Sequence, residues 1–148
     1  MVIGFVIGVS LGIIAALNRN RWPDYIVMFI AILGTTIPVF VMCALLQYMF
    51  TVKLTLLPTT GWGSWKNMVL PVTALSFGVI TTYARYMKSS VLEVSHQDSI
   101  PTARAKGVSN FRVITDHILR NAILPCIKQF FTRIAGKFTG SFVVANLL

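Results

Sequence analysis

The side chains able to do chemistry are few and scattered. In 148 residues there are two histidines, His96 and His117, two cysteines, Cys43 and Cys126, and four acidic residues, Asp24, Glu93, Asp98 and Asp116. A metal site needs three or four such ligands at close spacing, and His96 is a lone loop histidine with no carboxylate or cysteine constellation. His117 stands among charged residues, where packing or hydrogen bonding outweighs a proton relay. The cysteines are far apart and lack CxxC spacing, so both read as small buried apolar residues rather than a disulfide or redox pair. Gly136-Lys137-Phe138 has the Gly-Lys of a phosphate loop but neither the hydroxyl after Lys nor the earlier glycine, and it is assigned no nucleotide. The expectation is a chain that is not an enzyme and carries no cofactor and no metal.

The cations remain to be explained. Thirteen Lys and Arg against four acids give a net charge of +9. In a soluble chain this would suggest nucleic acid. Yet 55% of the residues are hydrophobic, 11% are charged and the mean hydropathy is +0.75, whereas soluble domains carry about a quarter charged residues. Lipid must be the solvent for most of this chain, and the cations then mark cytoplasmic loops.

Charge-free stretches alternate with polar loops. Residues 1–17 carry no charge and can cross a hydrocarbon core about 30 Å thick. A signal peptide is disfavoured because no basic region precedes the apolar run, and Arg19 and Arg21 follow it. A second span is expected over 25–52, tilted or kinked at Pro38. The segment from Lys53 to Lys66 reads as a loop, with Pro58, Gly61 and Gly63 as breakers and Trp62 and Trp65 at a membrane interface. A third span is expected over 68–84 and a fourth over 126–148, the latter interrupted by Lys128, Arg133 and Lys137. Between them Arg85, Lys88, Arg104, Lys106, Arg112 and Arg120 gather in a segment, 85–125, that the positive-inside rule makes cytoplasmic. Counting back puts the loop at 53–66 outside and the turn at 18–24 inside.

That cytoplasmic segment holds the local structure most able to act. Asp98 is placed to cap a short helix over Ile100–Lys106, because a carboxylate accepts first-turn amides. Pro101 fits the first turn, and Gly107 fits a left-handed stop. Ser109 is placed to cap a second helix whose Phe111, Ile114, Ile118 and Ala122 share a face, while Arg112, Asp116 and Arg120 can pair on the other. The small Ala103 and Ala105 permit close approach to a partner, and Arg104 and Lys106 can steer toward acidic groups.

The run Gln97-Asp98-Ser99-Ile100-Pro101-Thr102-Ala103-Arg104-Ala105-Lys106-Gly107-Val108-Ser109, with His117-Ile118-Leu119-Arg120-Asn121-Ala122-Ile123-Leu124-Pro125 after it, resembles the cytoplasmic EAA-type loop of ABC importer permeases. The Thr-Ala-Arg-Ala-Lys-Gly form is similar to the dipeptide, oligopeptide and nickel branch. The likeness extends to Leu57-Pro58-Thr59-Thr60-Gly61-Trp62-Gly63, Leu70-Pro71, Arg85 with Ser89 and Ser90, and Gly140-Ser141-Phe142-Val143-Val144. It implies an all-α, polytopic transmembrane helical bundle in a bacterial cell membrane, with Asp98, Thr102, Ala103, Arg104, Ala105, Lys106 and Gly107 in an ATPase-coupling loop. It also implies partners: ATPase subunits that hydrolyse ATP, a second permease subunit, an extracytoplasmic substrate-binding protein and membrane lipid, with no nucleic acid. Peptides are the expected substrate, with nickel or another small solute as the alternative. Against the family pattern the chain lacks the first helix, the outer segment and the last helix, so a fragment of a longer subunit or a truncated, non-transporting membrane protein is also an expectation.

Two other classes compete. A small channel or regulatory anchor would recover no ATPase in a membrane pull-down. A lipid- or nucleic-acid-binding segment over 85–133 would bind in a strongly salt-dependent way as a soluble peptide. The charge placement yields a direct test of topology. A reporter fused after Asn20 or within 95–110 reports the cytoplasm and one fused near Gly61 reports the outside; reversal of all three overturns the orientation.

Overall fold

The computed structural model describes residues 1–58, 64–105 and 107–147, with the side chains of 103, 104 and 137–147 outside that description, and its regular elements are all helical. They are α1 (Val2–Leu17), α2 (Trp22–Thr36), α3 (Val39–Gln47), α4 (Trp65–Ser95), α5 (Ser99–Ala105), α6 (Asn110–Arg112) and α7 (Arg120–Leu147). Two π-helical segments, Tyr48–Lys53 and Val113–Leu119, extend α3 and join α6 to α7. The chain divides into two compact units, Met1–Arg85 and Tyr86–Leu148.

In the first unit, missing side chains set the packing. A Cβ on Gly8 would stand 2.6 Å from the Ile80 carbonyl oxygen and 3.0 Å from Tyr83 Cβ. One on Gly4 would stand 3.2 Å from Val79 Cγ1, and one on Gly34 of α2 would overlap Thr81 and Phe77. The backbones of α1 and α2 therefore lie directly against α4. Beside Gly8 the Phe5 ring meets Tyr83 edge-on, centroids 4.9 Å apart. The signal was present in the sequence as Gly4, Gly8 and Gly12, the small-xxx-small spacing of close-packed membrane helices. Reading α1 for charge alone passes over it.

The turn between α1 and α2 is built by polar side chains. Asn20 takes a left-handed φ of 62°, a conformation asparagine tolerates better than most residues, and its amide donates to Asp24 Oδ2 at 3.1 Å. Asp24 is buried in the first turn of α2 beside Pro23. This acid holds a helix start.

The expected span 25–52 is two helices. Ile37 and Pro38 are extended, with ψ of 121° and 143°, and the axes on either side meet at 103°. Pro38 offers no N–H to the Gly34 carbonyl and forces the residue before it out of the helical region, so the chain breaks where a tilted or kinked helix was expected. By contrast α4 does not stop near Ala84. Its 31 residues run on to Ser95, about 46 Å at 1.5 Å per residue, so Arg85 and Lys88 belong to the helix and not to a loop. Pro71 lies within α4.

The second unit packs Met87, Val91 and Val94 of α4 together with Val113, Ile118, Ala122, Cys126 and Phe130, all buried. Ser90 Oγ donates to the Ala122 carbonyl at 2.9 Å, and the Cys126 thiol meets Met87 Sδ at 3.4 Å. Ile118 and Ala122 are buried as expected, but the start of that face differs. Phe111 is exposed and Val113 replaces Ile114 as the deeply buried residue. The π turn is the reason: its i→i+5 closure inserts one residue, so the face advances from 113 to 118 and only then by fours. Pro125 neither ends nor interrupts α7.

α4 is by itself long and apolar enough to cross a membrane, the bent pair Trp22–Thr36 and Val39–Lys53 passes as a unit, and α1 is a shorter apolar helix. Ile3 is 74% exposed and Phe40 75%. Such side chains on three helices make a surface that suits lipid, not water.

If close approach governs the first unit, two glycine substitutions should part ways. Gly78 has nothing within 4 Å of an added Cβ, so Gly78→Ala is expected to be neutral or to stabilise α4 by up to about 1 kcal/mol. Gly8→Ala forces α1 off α4 and is expected to cost about 1–3 kcal/mol. Thermal unfolding in detergent compares them, and equal effects would remove the close-contact account.

Candidate functional site

The candidate site is the short helix between α4 and α7 with the turn that follows. After Ser95 the chain tightens through His96 N to the Glu93 carbonyl, 3.2 Å, and Gln97 N to the Val94 carbonyl, 3.1 Å. The Ile100 amide then bonds the Gln97 carbonyl at 3.0 Å and α5 begins. Ile100 is 2% exposed and α5 packs on the π segment 113–119. One apolar side chain thus anchors the helix, while Ser99, Pro101, Thr102 and Ala105 stay exposed.

The helix start departs from expectation. The exposed Asp98 carboxylate takes no first-turn amide among the described residues; instead Thr102 Oγ1 donates to the Asp98 backbone carbonyl at 2.9 Å. Thr102 and Asp98 are therefore linked, through backbone and not through charge. Pro101 leaves the first turn one amide short, so a carboxylate there has one donor fewer to satisfy. The side chains of Ala103 and Arg104, and all of Lys106, lie outside the described residues, as do residues 59–63 of the loop motif that begins at Leu57.

Gly107 follows with φ of 79°. This is the left-handed region, and nothing lies within 4 Å of an added Cβ, so the demand for glycine here is conformational and not steric. Ser109 then occupies the N-cap position of α6 with ψ of 145°. Its carbonyl receives Val113 N at 3.0 Å. Its hydroxyl makes no cap bond, contrary to expectation. Arg112, Asp116 and Arg120 make no ion pair among the described residues, and Asp116 Oδ1 accepts from Thr115 Oγ1 at 3.0 Å. The π turn again explains this, since i and i+4 no longer stack one above the other within it.

Neither histidine gathers ligands. His96 Nδ1 meets the Leu92 carbonyl one turn back, His117 is exposed, and no group of three His, Cys, Asp or Glu side chains occurs among the described residues. Grouping Arg85 with the loop cations hid a contact: its Nη1 donates to Thr35 Oγ1 at 3.1 Å, and no sequence spacing links positions 50 apart.

Residues 8–148 match the family described as binding-protein-dependent transport system inner membrane component. The chain is 46% identical over 147 residues to the dipeptide transport system permease protein DppB of Bacillus subtilis (strain 168), covering 99% of this chain and 48% of that protein. It is 43% identical over 144 residues to the oligopeptide transport system permease protein OppB of Salmonella typhimurium, covering 96% and 47%. To the glutathione transport system permease protein GsiC of an Escherichia coli strain it is 41% identical over 147 residues, covering 99% and 48%. The chain thus spans about half the length of these relatives.

The turn at Gly107 can be tested by separating shape from size. Gly107→Val is expected to destabilise the turn by roughly 1–2 kcal/mol, whereas Gly107→Asn, which tolerates positive φ, should lose well under half of that. Hydrogen exchange over residues 98–110 reads the difference, and equal protection in the two variants would argue against a conformational requirement.

Proposed function

From a chain that belongs to the binding-protein-dependent transport system inner membrane component family, we propose a permease subunit, or the part of one, that forms the translocation pathway of an ATP-driven peptide importer. The chain lies as a polytopic helical bundle in a bacterial inner membrane. A second permease subunit completes the pathway, two ATPase subunits supply the energy and an extracytoplasmic binding protein delivers the substrate. ATP chemistry belongs to the ATPase partners. The names of the relatives, which carry dipeptide, oligopeptide and glutathione, support a peptide over nickel as the substrate class.

The observation that carries the coupling step is the form of α5. A seven-residue helix held by Ile100, with Pro101, Thr102 and Ala105 exposed and a left-handed glycine behind it, is a firm projection on the membrane's cytoplasmic side. Its anchoring is the mechanical requirement, because force applied to the exposed face must reach α4 and α7 without dissipating in a loose loop. Ile100 against the π segment supplies that path, and Ser90 to Ala122 ties α4 to α7 behind it. Small residues at the contact let an ATPase groove close on the helix, while Arg104 and Lys106 favour acidic groups there and act mainly on orientation and association rate.

In the assembled importer, with Cys43 and Cys126 replaced, single cysteines at Thr102 and Ala105 are expected to crosslink to a cysteine in the ATPase groove, with a yield that changes when nucleotide is added. Ile100→Cys, inward on the same helix, should not. Ala103→Trp should lower ATPase recruitment more than Asn110→Trp beyond the turn. Normal recruitment by the Ala103 variant together with no crosslink at 102 or 105 in any nucleotide state would rule out α5 as the docking element and leave a basic membrane-surface helix.

A further inference from the structure

Arg85 sits on α4 about ten residues before the helix ends, beside the break in α2. Its Nη1 donates to Thr35 Oγ1 at 3.1 Å, and that hydroxyl in turn bonds back to the Ala31 carbonyl at 2.9 Å. Thr35 is the penultimate residue of α2. Gly34, one residue earlier, is the residue whose carbonyl loses its helical donor to Pro38. A fixed cation and a freed backbone acceptor therefore stand together at a helix break, on two apolar helices.

Lipid is a poor medium for that pair wherever it lies within the hydrocarbon. A charge at a helix centre costs about 2.5–3.5 kcal/mol on insertion scales unless it faces water or protein, and broken helix is tolerated at membrane depth only under the same condition. Arg85 and Thr35 are exposed on this chain, and Arg85 has no carboxylate partner among the described residues. The bond to Thr35 uses one edge of the guanidinium and holds the side chain still. The remaining N–H donors keep the fork geometry that matches a carboxylate. Broken helices in transporters line substrate sites, which favours a passing solute over a fixed acid of a neighbouring subunit.

We propose that Arg85, steadied by Thr35 at the α2 break, is a carboxylate-binding station in the translocation pathway that takes the C-terminal carboxylate of the transported peptide. This rests on the peptide-importer reading. The contact is a transient one: an exposed arginine with a single fixed hydrogen bond attracts a carboxylate strongly enough to orient it and weakly enough to release it.

The test uses the complete importer with Cys43 and Cys126 replaced. In a Thr36→Cys background, an anionic methanethiosulfonate reagent is expected to react faster than a cationic one, and Arg85→Gln should abolish that preference. Trialanine with a free C-terminus should slow the reaction, and its C-terminal amide should not. In uptake assays at saturating binding protein, Arg85→Gln is expected to lower transport of free trialanine on the order of tenfold and of the amide much less, with Arg85→Lys between. Equal loss for the two peptides, or no reaction of position 36 with either reagent, overturns the carboxylate station and leaves the importer reading standing. Failure of the unsubstituted importer to move either peptide overturns both.

Discussion

A backbone in lipid has no water to bond, so each N–H and C=O must find its partner within the chain, and the helix is the local way to do it. Everything else in this protein follows from how that constraint is met or relaxed. Where it is met, α1, α2 and α4 present apolar side chains outward and pack closely against one another. Packing without a hydrophobic driving force needs short distances, and Gly4, Gly8 and Gly34 provide them. The aromatic contact of Phe5 with Tyr83 fills the space beside those glycines.

Where the constraint is relaxed, the residues that can act are found. Pro38 leaves the Gly34 carbonyl without its helical donor and breaks the second span, and the polar pair Arg85 and Thr35 stands at that place. α5 is short, with most of its described side chains exposed, and Gly107 turns the chain behind it with a left-handed φ. The two π segments belong to the same class of departure. The one at 113–119 inserts a residue and thereby chooses which apolar side chains, Val113 and Ile118, are buried in the segment on which α5 packs.

Cations divide along the same line. Arg19 and Arg21 stand in the turn between α1 and α2. Arg85 lies on a helix that continues past it, and there a bond and an aqueous or protein surface are required. The four acids are too few to neutralise this charge. Asp24 accepts from the Asn20 amide at a helix start, and Asp116 accepts from the neighbouring Thr115 hydroxyl.

What the sequence by itself determined is what depends on local chemistry: the lipid-suited composition, the helical class, the break-prone Pro38, the short helix near residue 100 and the left-handed glycine at 107. Each is a property of a residue and its immediate neighbours, and so is legible in one dimension. The resemblance at Thr102–Gly107 and its sequel pointed to the family for the same reason, since the motif is contiguous. Tertiary structure alone decided the rest. It turned a kink at Pro38 into a 103° bend, carried α4 past Arg85 to Ser95, and through a π turn buried Val113 where Ile114 was expected. It also brought Arg85 to Thr35. These outcomes depend on which helices touch, and contact between positions far apart in the chain leaves no periodicity to read.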